Sequence, residues 1–236
     1  MKKILSLVVA AMFVASAPVS AQLITAVDFE AGTQVGYTTS IAEQSDGAAD
    51  YFTHSVNGTN IGGVYTGAQG TSFFAAQDTD ADGGVSPASL FISNVNISNF
   101  NNLNLELLVA EDDDGVNEDW DDSDSFTVFA SIDGGAQFQI FGIENDGSTF
   151  NSAPQIDTDF DGTGDGTVIT NTFTDFTATI AGTGSTLDLE FIFALDSGDE
   201  DLAIDNIRIN GTTVPEPSSI ALLGLIGLAG VTRRRK

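Results

Sequence analysis

The stretch Thr186-Leu187-Asp188-Leu189-Glu190-Phe191-Ile192-Phe193-Ala194-Leu195 decides the fold. Leu187, Leu189, Phe191, Phe193 and Leu195 fall on one side of an extended chain, while Asp188 and Glu190 fall on the other. Side chains alternate across a strand and not along a helix, so a period of two at this density marks a half-buried β-strand. Phe126, Val128, Ala130 and Ile132 repeat the pattern, as do Leu103, Leu105, Leu107 and Val109. Outward from these, the pattern predicts about ten strands, drawn from segments near 23–30, 50–56, 71–77, 88–98, 102–110, 125–133, 135–144, 167–173, 174–181, 186–195 and 202–209. Gly, Asn, Asp and Ser clusters separate them, and no long stretch between them has a helical period. Many short strands with turns at this spacing imply an all-β fold, an antiparallel β-sandwich of jelly-roll type. Repeats are limited to two Asp-Thr-Asp segments, which argues against a solenoid or a propeller.

The charge balance narrows the function. The chain has 236 residues, 34 acidic and 7 basic, for a formal charge of −27. Lys2 and Lys3 open it, Arg233, Arg234, Arg235 and Lys236 close it, and only Arg208 lies between. The body from Gln22 to Val214 thus sets 33 acids against one Arg, a formal charge of about −32. Such a surface repels phosphates, so nucleic acid is excluded as a partner. With 17 Phe there is ample apolar surface to bury, so the body is not a disordered acidic tail. The absence of Cys removes thiolate chemistry, and His54, the single His, cannot supply a usual zinc site. No Gly-x-Ser-x-Gly turn accompanies His54, so a Ser-His-Asp hydrolase is not indicated either.

Both ends read as addresses. Lys2-Lys3 precede an apolar run from Ile4 to about Ala17, and Val19-Ser20-Ala21 offers compact residues to a signal peptidase. Residues 1–21 therefore form a signal peptide, helical in its apolar part, with cleavage after Ala21. Residues 22–213 make one sandwich domain. Residues 214–236 hold Pro215, Glu216 and Pro217, an apolar stretch from Ile220 to Val231, and the Arg233, Arg234, Arg235 cluster. The apolar stretch is shorter than the roughly 20 residues that span a bilayer comfortably. The basic cluster would stay on the cytoplasmic side, anchoring the chain transiently in the inner membrane by a short hydrophobic helix. Two prolines one residue apart keep the junction extended and open to a processing enzyme. In this order the features closely resemble the PEP-CTERM sorting signal. The resemblance implies a Gram-negative, exopolysaccharide-producing bacterium in which an exosortase cuts near Pro215–Pro217 and delivers the body to the cell surface or the extracellular matrix.

Carboxylate clusters supply the candidate ligands. Asp157, Asp159, Asp161 and Asp165 alternate around Gly162, a spacing that sets oxygens on one side of a turn, as a hard cation such as Ca²⁺ requires. The segment resembles the first nine positions of an EF-hand or thrombospondin-type calcium loop, although Val168 stands at the twelfth in place of Glu. A solvated Asp/Gly turn is the alternative. Asp78, Asp80 and Asp82 repeat the spacing in shorter form. At the ends of the body, Asp28-Phe29-Glu30 follows the first strand and Ala203-Ile204-Asp205-Asn206-Ile207-Arg208-Ile209 forms the last. The apolar phase slips between Leu202/Ile204 and Ile207/Ile209, which predicts a bulge at Asp205-Asn206. Here the body resembles carbohydrate-binding jelly-roll modules, in which an opening Phe-Glu and a closing Asp share a structural calcium. That likeness makes Glu30 and Asp205 candidate ligands; otherwise Asp205 pairs with Arg208 or caps a turn.

Trp120, the only Trp, stands within the acidic run from Glu111 to Asp124. A rim aromatic among carboxylates can stack on a sugar ring, so Trp120 is the candidate ligand-binding residue; it can equally pack inward and pin the loop. The Thr186-Leu187-Asp188-Leu189-Glu190 segment approaches a sandwich-glycosidase signature but has Thr where the nucleophile belongs. The expectation is thus a non-catalytic, calcium-stabilised sandwich that binds glycan or exopolysaccharide matrix. The alternatives are a secreted polysaccharide hydrolase, which needs only two carboxylates, and a purely structural extracellular protein.

Overall fold

The computed structural model describes residues 20–81, 84–112, 120–148 and 151–214. The signal helix, the sorting helix, Asp82, Pro215, Glu216, Pro217, Arg233, Arg234 and Arg235 lie outside the described residues. Among the described residues thirteen strands are formed: β1 (Ala21–Val27), β2 (Thr38–Thr39), β3 (Gln44–Ser45), β4 (Tyr51–Val56), β5 (Ser72–Gln77), β6 (Ala88–Asn96), β7 (Phe100–Ala110), β8 (Ser125–Ile132), β9 (Phe138–Glu144), β10 (Gln155–Ile156), β11 (Thr174–Ile180), β12 (Thr186–Ala194) and β13 (Asp201–Thr213). One sheet has the order β11-β7-β13-β5-β4-β3 with β1 also on β13, and the other the order β10-β9-β8-β12-β6-β2. Every pairing between these strands is antiparallel. The all-β antiparallel sandwich is therefore as expected, and the described residues contain no α-helix.

The alternating residues fill the space between the sheets. In β12, Leu187, Leu189, Phe191 and Phe193 are buried while Asp188, Glu190 and Ile192 are half-exposed. Phe52 and Phe74 from one sheet meet Phe193 and Phe126 from the other, with ring centroids 4.8 Å apart for Phe52–Phe74, 5.7 Å for Phe52–Phe193 and 4.8 Å for Phe126–Phe193. Each such ring contributes about 1.5–3 kcal/mol through burial, so this cluster is a main tie between the layers.

β13 is the central element. It pairs with β7 on one side; on the other it meets β5 along Asp201–Ile204 and β1 along Ile207–Thr212. The register shifts between Asp205 and Arg208, where Asn206 takes a positive φ of 45°. This is the bulge the apolar phase predicts. It turns Ile207 and Ile209 back to the interior, so that Leu202, Ile204, Ile207 and Ile209 are all buried.

One strand expectation needs correction, and three short strands escaped it. Residues 167–173 form no strand, only isolated bridges from Val168 to Gln155 and from Thr172 to Thr66. The two-residue strands β2, β3 and β10 are too short to leave a periodic signal.

Candidate functional site

Asp205 sits where β13 changes partner from β5 to β1, and its carboxylate fills the gap. It is fully buried, and Oδ2 accepts from the Gln69 backbone N–H at 2.6 Å and Oδ1 from that of Asn206 at 2.6 Å. Glu30, just beyond β1, approaches the same segment: Oε1 accepts from the N–H groups of Thr71 (2.7 Å) and Ser72 (2.6 Å). Residues 69–72 are thus clasped by carboxylates from the two ends of the domain. Gly70 makes the clasp possible, with a φ of +83° and a would-be Cβ only 2.5 Å from Glu30 Oε1. Burial, and secondarily the Glu30 and Asp28 charges, push the Asp205 carboxyl up to about 7, while the Thr71 and Ser72 N–H groups hold Glu30 below the usual range. Arg208 gives Asp205 no counter-charge, because its guanidinium is engaged by Glu106 (3.1 Å) and Asp175 (2.6 Å). A buried carboxylate beside a second one suits a hard cation.

In the 157–165 loop, three of the four aspartates come together. Asp157, Asp159 and Asp161 each offer a carboxylate oxygen within 4.8 Å of the others. Asp157 is buried and organises the turn: Oδ1 accepts from Phe160 N (2.7 Å) and Asp159 N (3.2 Å), Oδ2 from Gly162 N (3.0 Å). Asp165 does not join them; it accepts from the N–H and hydroxyl of Thr158 at 3.0 and 2.7 Å, which lowers its pKa. Asp78 and Asp80 stand side by side, and burial followed by Asp80 raises Asp78 to about 6.

Trp120 must be corrected as a sugar-stacking residue. It is 0% exposed and packs in the main core, with its carbonyl accepting from Ser152 N at 3.2 Å. Its indole is enclosed by the core and presents no face to solvent.

The outer face of the six-stranded sheet carries what periodicity alone did not single out. Glu190 is directly opposite Phe91 on one side and Phe129 on the other, and the row continues to Thr38 and Gln139. Ile192 lies one pleat along, between Ser89 and Thr127. Phe91, Phe129 and Ile192 are each out of phase with the buried side of their strands, and that was the available signal. The Glu190 carboxylate is held flat on the sheet by Ser89 Oγ (2.9 Å) and Gln137 Nε2 (2.7 Å). His54 is structural: Nε2 lies 2.9 Å from the Phe29 carbonyl and its N–H donates to Glu43.

The class this geometry defines is an acidic two-sheet β-sandwich, and similar solved structures are carbohydrate-binding-module-like and adhesin domains. An adhesin domain of Lys-gingipain from Porphyromonas gingivalis is 14% identical, with 81% of this chain and 99% of that one covered and a TM-score of 0.47. The CBM22-1 xylan-binding domain from Paenibacillus barcinonensis is 14% identical over 84% of this chain and 100% of that one, with a TM-score of 0.44. CBM35 from the same organism is 13% identical over 78% and 97%, with a TM-score of 0.36. No curated protein is similar to the chain in sequence. Residues 213–236 match the PEP-CTERM protein-sorting motif. The motif indicates export by an exosortase-dependent route in Gram-negative bacteria, to the cell surface or beyond it.

Proposed function

We propose that the exported body is a non-catalytic glycan-binding module, stabilised by Ca²⁺ and presented to the exopolysaccharide matrix after exosortase processing. The observation that carries the glycan reading is the Phe129–Glu190–Phe91 row on the outer face of the six-stranded sheet. Two phenyl rings flank a fixed carboxylate, with Gln137, Gln139 and Ser89 around it: apolar faces for sugar C–H groups beside acceptors and donors for hydroxyls. Ca²⁺ is assigned to the buried Asp205 carboxylate and the exposed Glu30 near it, which no Arg or Lys among the described residues pairs, and to the convergent Asp157, Asp159 and Asp161. Glu190 is tied to Ser89 and Gln137, and Asp188 accepts from Asn94 N–H at 2.7 Å, which supports a binding role for this face over a hydrolytic one.

A glycan array followed by calorimetry on the full chain tests the binding face. Phe129→Ala should weaken binding about tenfold, roughly 1.4 kcal/mol, without loss of fold. Equal affinity of parent and variant would remove this face from consideration. For the metal, melting with Ca²⁺ should exceed melting with EDTA by several degrees, and Asp205→Asn should shrink that gap; coincident curves for the parent would rule calcium out.

A further inference from the structure

Three acids from two distant stretches of the sequence meet at the end of the sandwich where β13 begins. Asp124 immediately precedes β8, Asp196 follows β12, and Glu200 precedes β13; β8 and β12 are neighbours, with Ser125 opposite Ala194. Each offers a carboxylate oxygen within 4.8 Å of the other two. Asp124 is 1% exposed and Glu200 3%, while Asp196 is open to solvent. Glu200 Oε2 accepts from the N–H groups of Asp196 (2.9 Å) and Ser197 (2.7 Å), which folds the loop around the carboxylate. Asp124 Oδ2 accepts from Asp121 N–H at 2.6 Å, but Asp124 Oδ1 is buried with no hydrogen-bond partner.

That orphaned oxygen distinguishes this group from a solvated acidic patch. A buried carboxylate oxygen without a donor is costly, and the only Arg or Lys of the body, Arg208, is committed to Glu106 and Asp175. We propose that Asp124, Asp196 and Glu200 form a divalent-cation site, with Asp196 as the solvent-side gate. The donor set is all oxygen and anionic, without His or Cys, which selects a hard ion, Ca²⁺ before any transition metal. In the absence of an ion, burial drives both inner carboxyls upward, Glu200 to about 9 and Asp124 to about 6, so a proton shared between them is the competing occupant. The site shares no ligand with the Glu30–Asp205 and 157–161 clusters, although Glu144, opposite Ser125, feels the charges of both Asp124 and Asp157.

The single Trp provides a local readout, because the N–H that donates to Asp124 belongs to Asp121, the residue after Trp120. Terbium, an oxygen-seeking stand-in for Ca²⁺, bound here would be sensitised by Trp120 excitation. On the full chain, saturable Trp-sensitised emission displaced by Ca²⁺ is expected. Asp124→Asn and the exposed Asp196→Asn should each weaken terbium binding by about tenfold, while Asp157→Asn leaves the Trp-sensitised signal in place. Asp196→Asn keeps the test valid if Asp124→Asn fails to fold. No sensitised emission from the parent, or emission unchanged in Asp196→Asn, or emission abolished by Asp157→Asn, would overturn the proposal. The first of these outcomes leaves the shared proton as the occupant.

Discussion

Asp133 shows how one exposed carboxylate can fix a connection. It opens the β8–β9 turn with a φ of 52°, and its Oδ1 accepts from the N–H groups of Ser185 and Thr186, each at 2.9 Å, at the start of β12. Those donors hold its pKa below the usual carboxylate range. The folded pKa is depressed, so the stabilisation is complete above the unfolded value of about 4 and is lost as pH falls through the folded one. Asp133→Ala should therefore lower the melting temperature by a few degrees at pH 7, and the gap between parent and variant should narrow as pH falls below about 4. A gap that persists at low pH would assign the effect to the turn backbone and not to the charge. Trp120 shows what a residue's sequence neighbours cannot reveal. Acids on both sides suggest a surface ring, yet the carbonyl bond to Ser152 brings strand-like contact to the loop and turns the indole into the core.

Among the elements, the long strands were legible because each has its own alternation to declare. The bulge in β13 was legible for the same reason, as a slip in the apolar phase at Asp205-Asn206. The convergence of Glu30 with Asp205 was readable only as a resemblance, since nothing local joins residues so far apart. The Phe91–Glu190–Phe129 row and the Asp124–Asp196–Glu200 group depend on register between strands, which one strand's pattern does not encode. Register also makes β13 fragile. A strand of the same length without the bulge would turn Ile207 and Ile209 outward and Arg208 and Asn210 inward. Asn206→Val, whose β-branched side chain resists the positive φ at the bulge, should therefore cost about 1–3 kcal/mol and lower the melting temperature, whereas Asn206→Gly, which accepts the same φ, should keep it. An Asn206→Val variant as stable as the parent would mean that the bulge is not held by this residue's left-handed conformation.

At the scale of the molecule, charge and direction coincide. β1 begins opposite Thr212, near the end of β13, so both termini of the sandwich leave from one pole. β13 starts at the other pole, beside Asp78, Asp112, Asp124, Asp196 and Glu200, about 40 Å away at roughly 3.3 Å per residue. The acidic pole is thus the one remote from Thr213 and Val214, where the sorting motif begins. A body of formal charge near −32 repels itself when folded, and its acidic pole concentrates that repulsion. Monovalent salt should relieve it without occupying any site, because the Debye length falls from about 30 Å at 0.01 M to a few ångströms near 1 M. With EDTA present, raising NaCl from about 0.02 to about 0.5 M should therefore raise the melting temperature by several degrees. If Ca²⁺ binds at the proposed carboxylates, millimolar Ca²⁺ should achieve more than that salt does. A melting temperature indifferent to NaCl would mean that the acids already lie far enough apart, or are already protonated, and that the pole stores no repulsion for calcium to relieve.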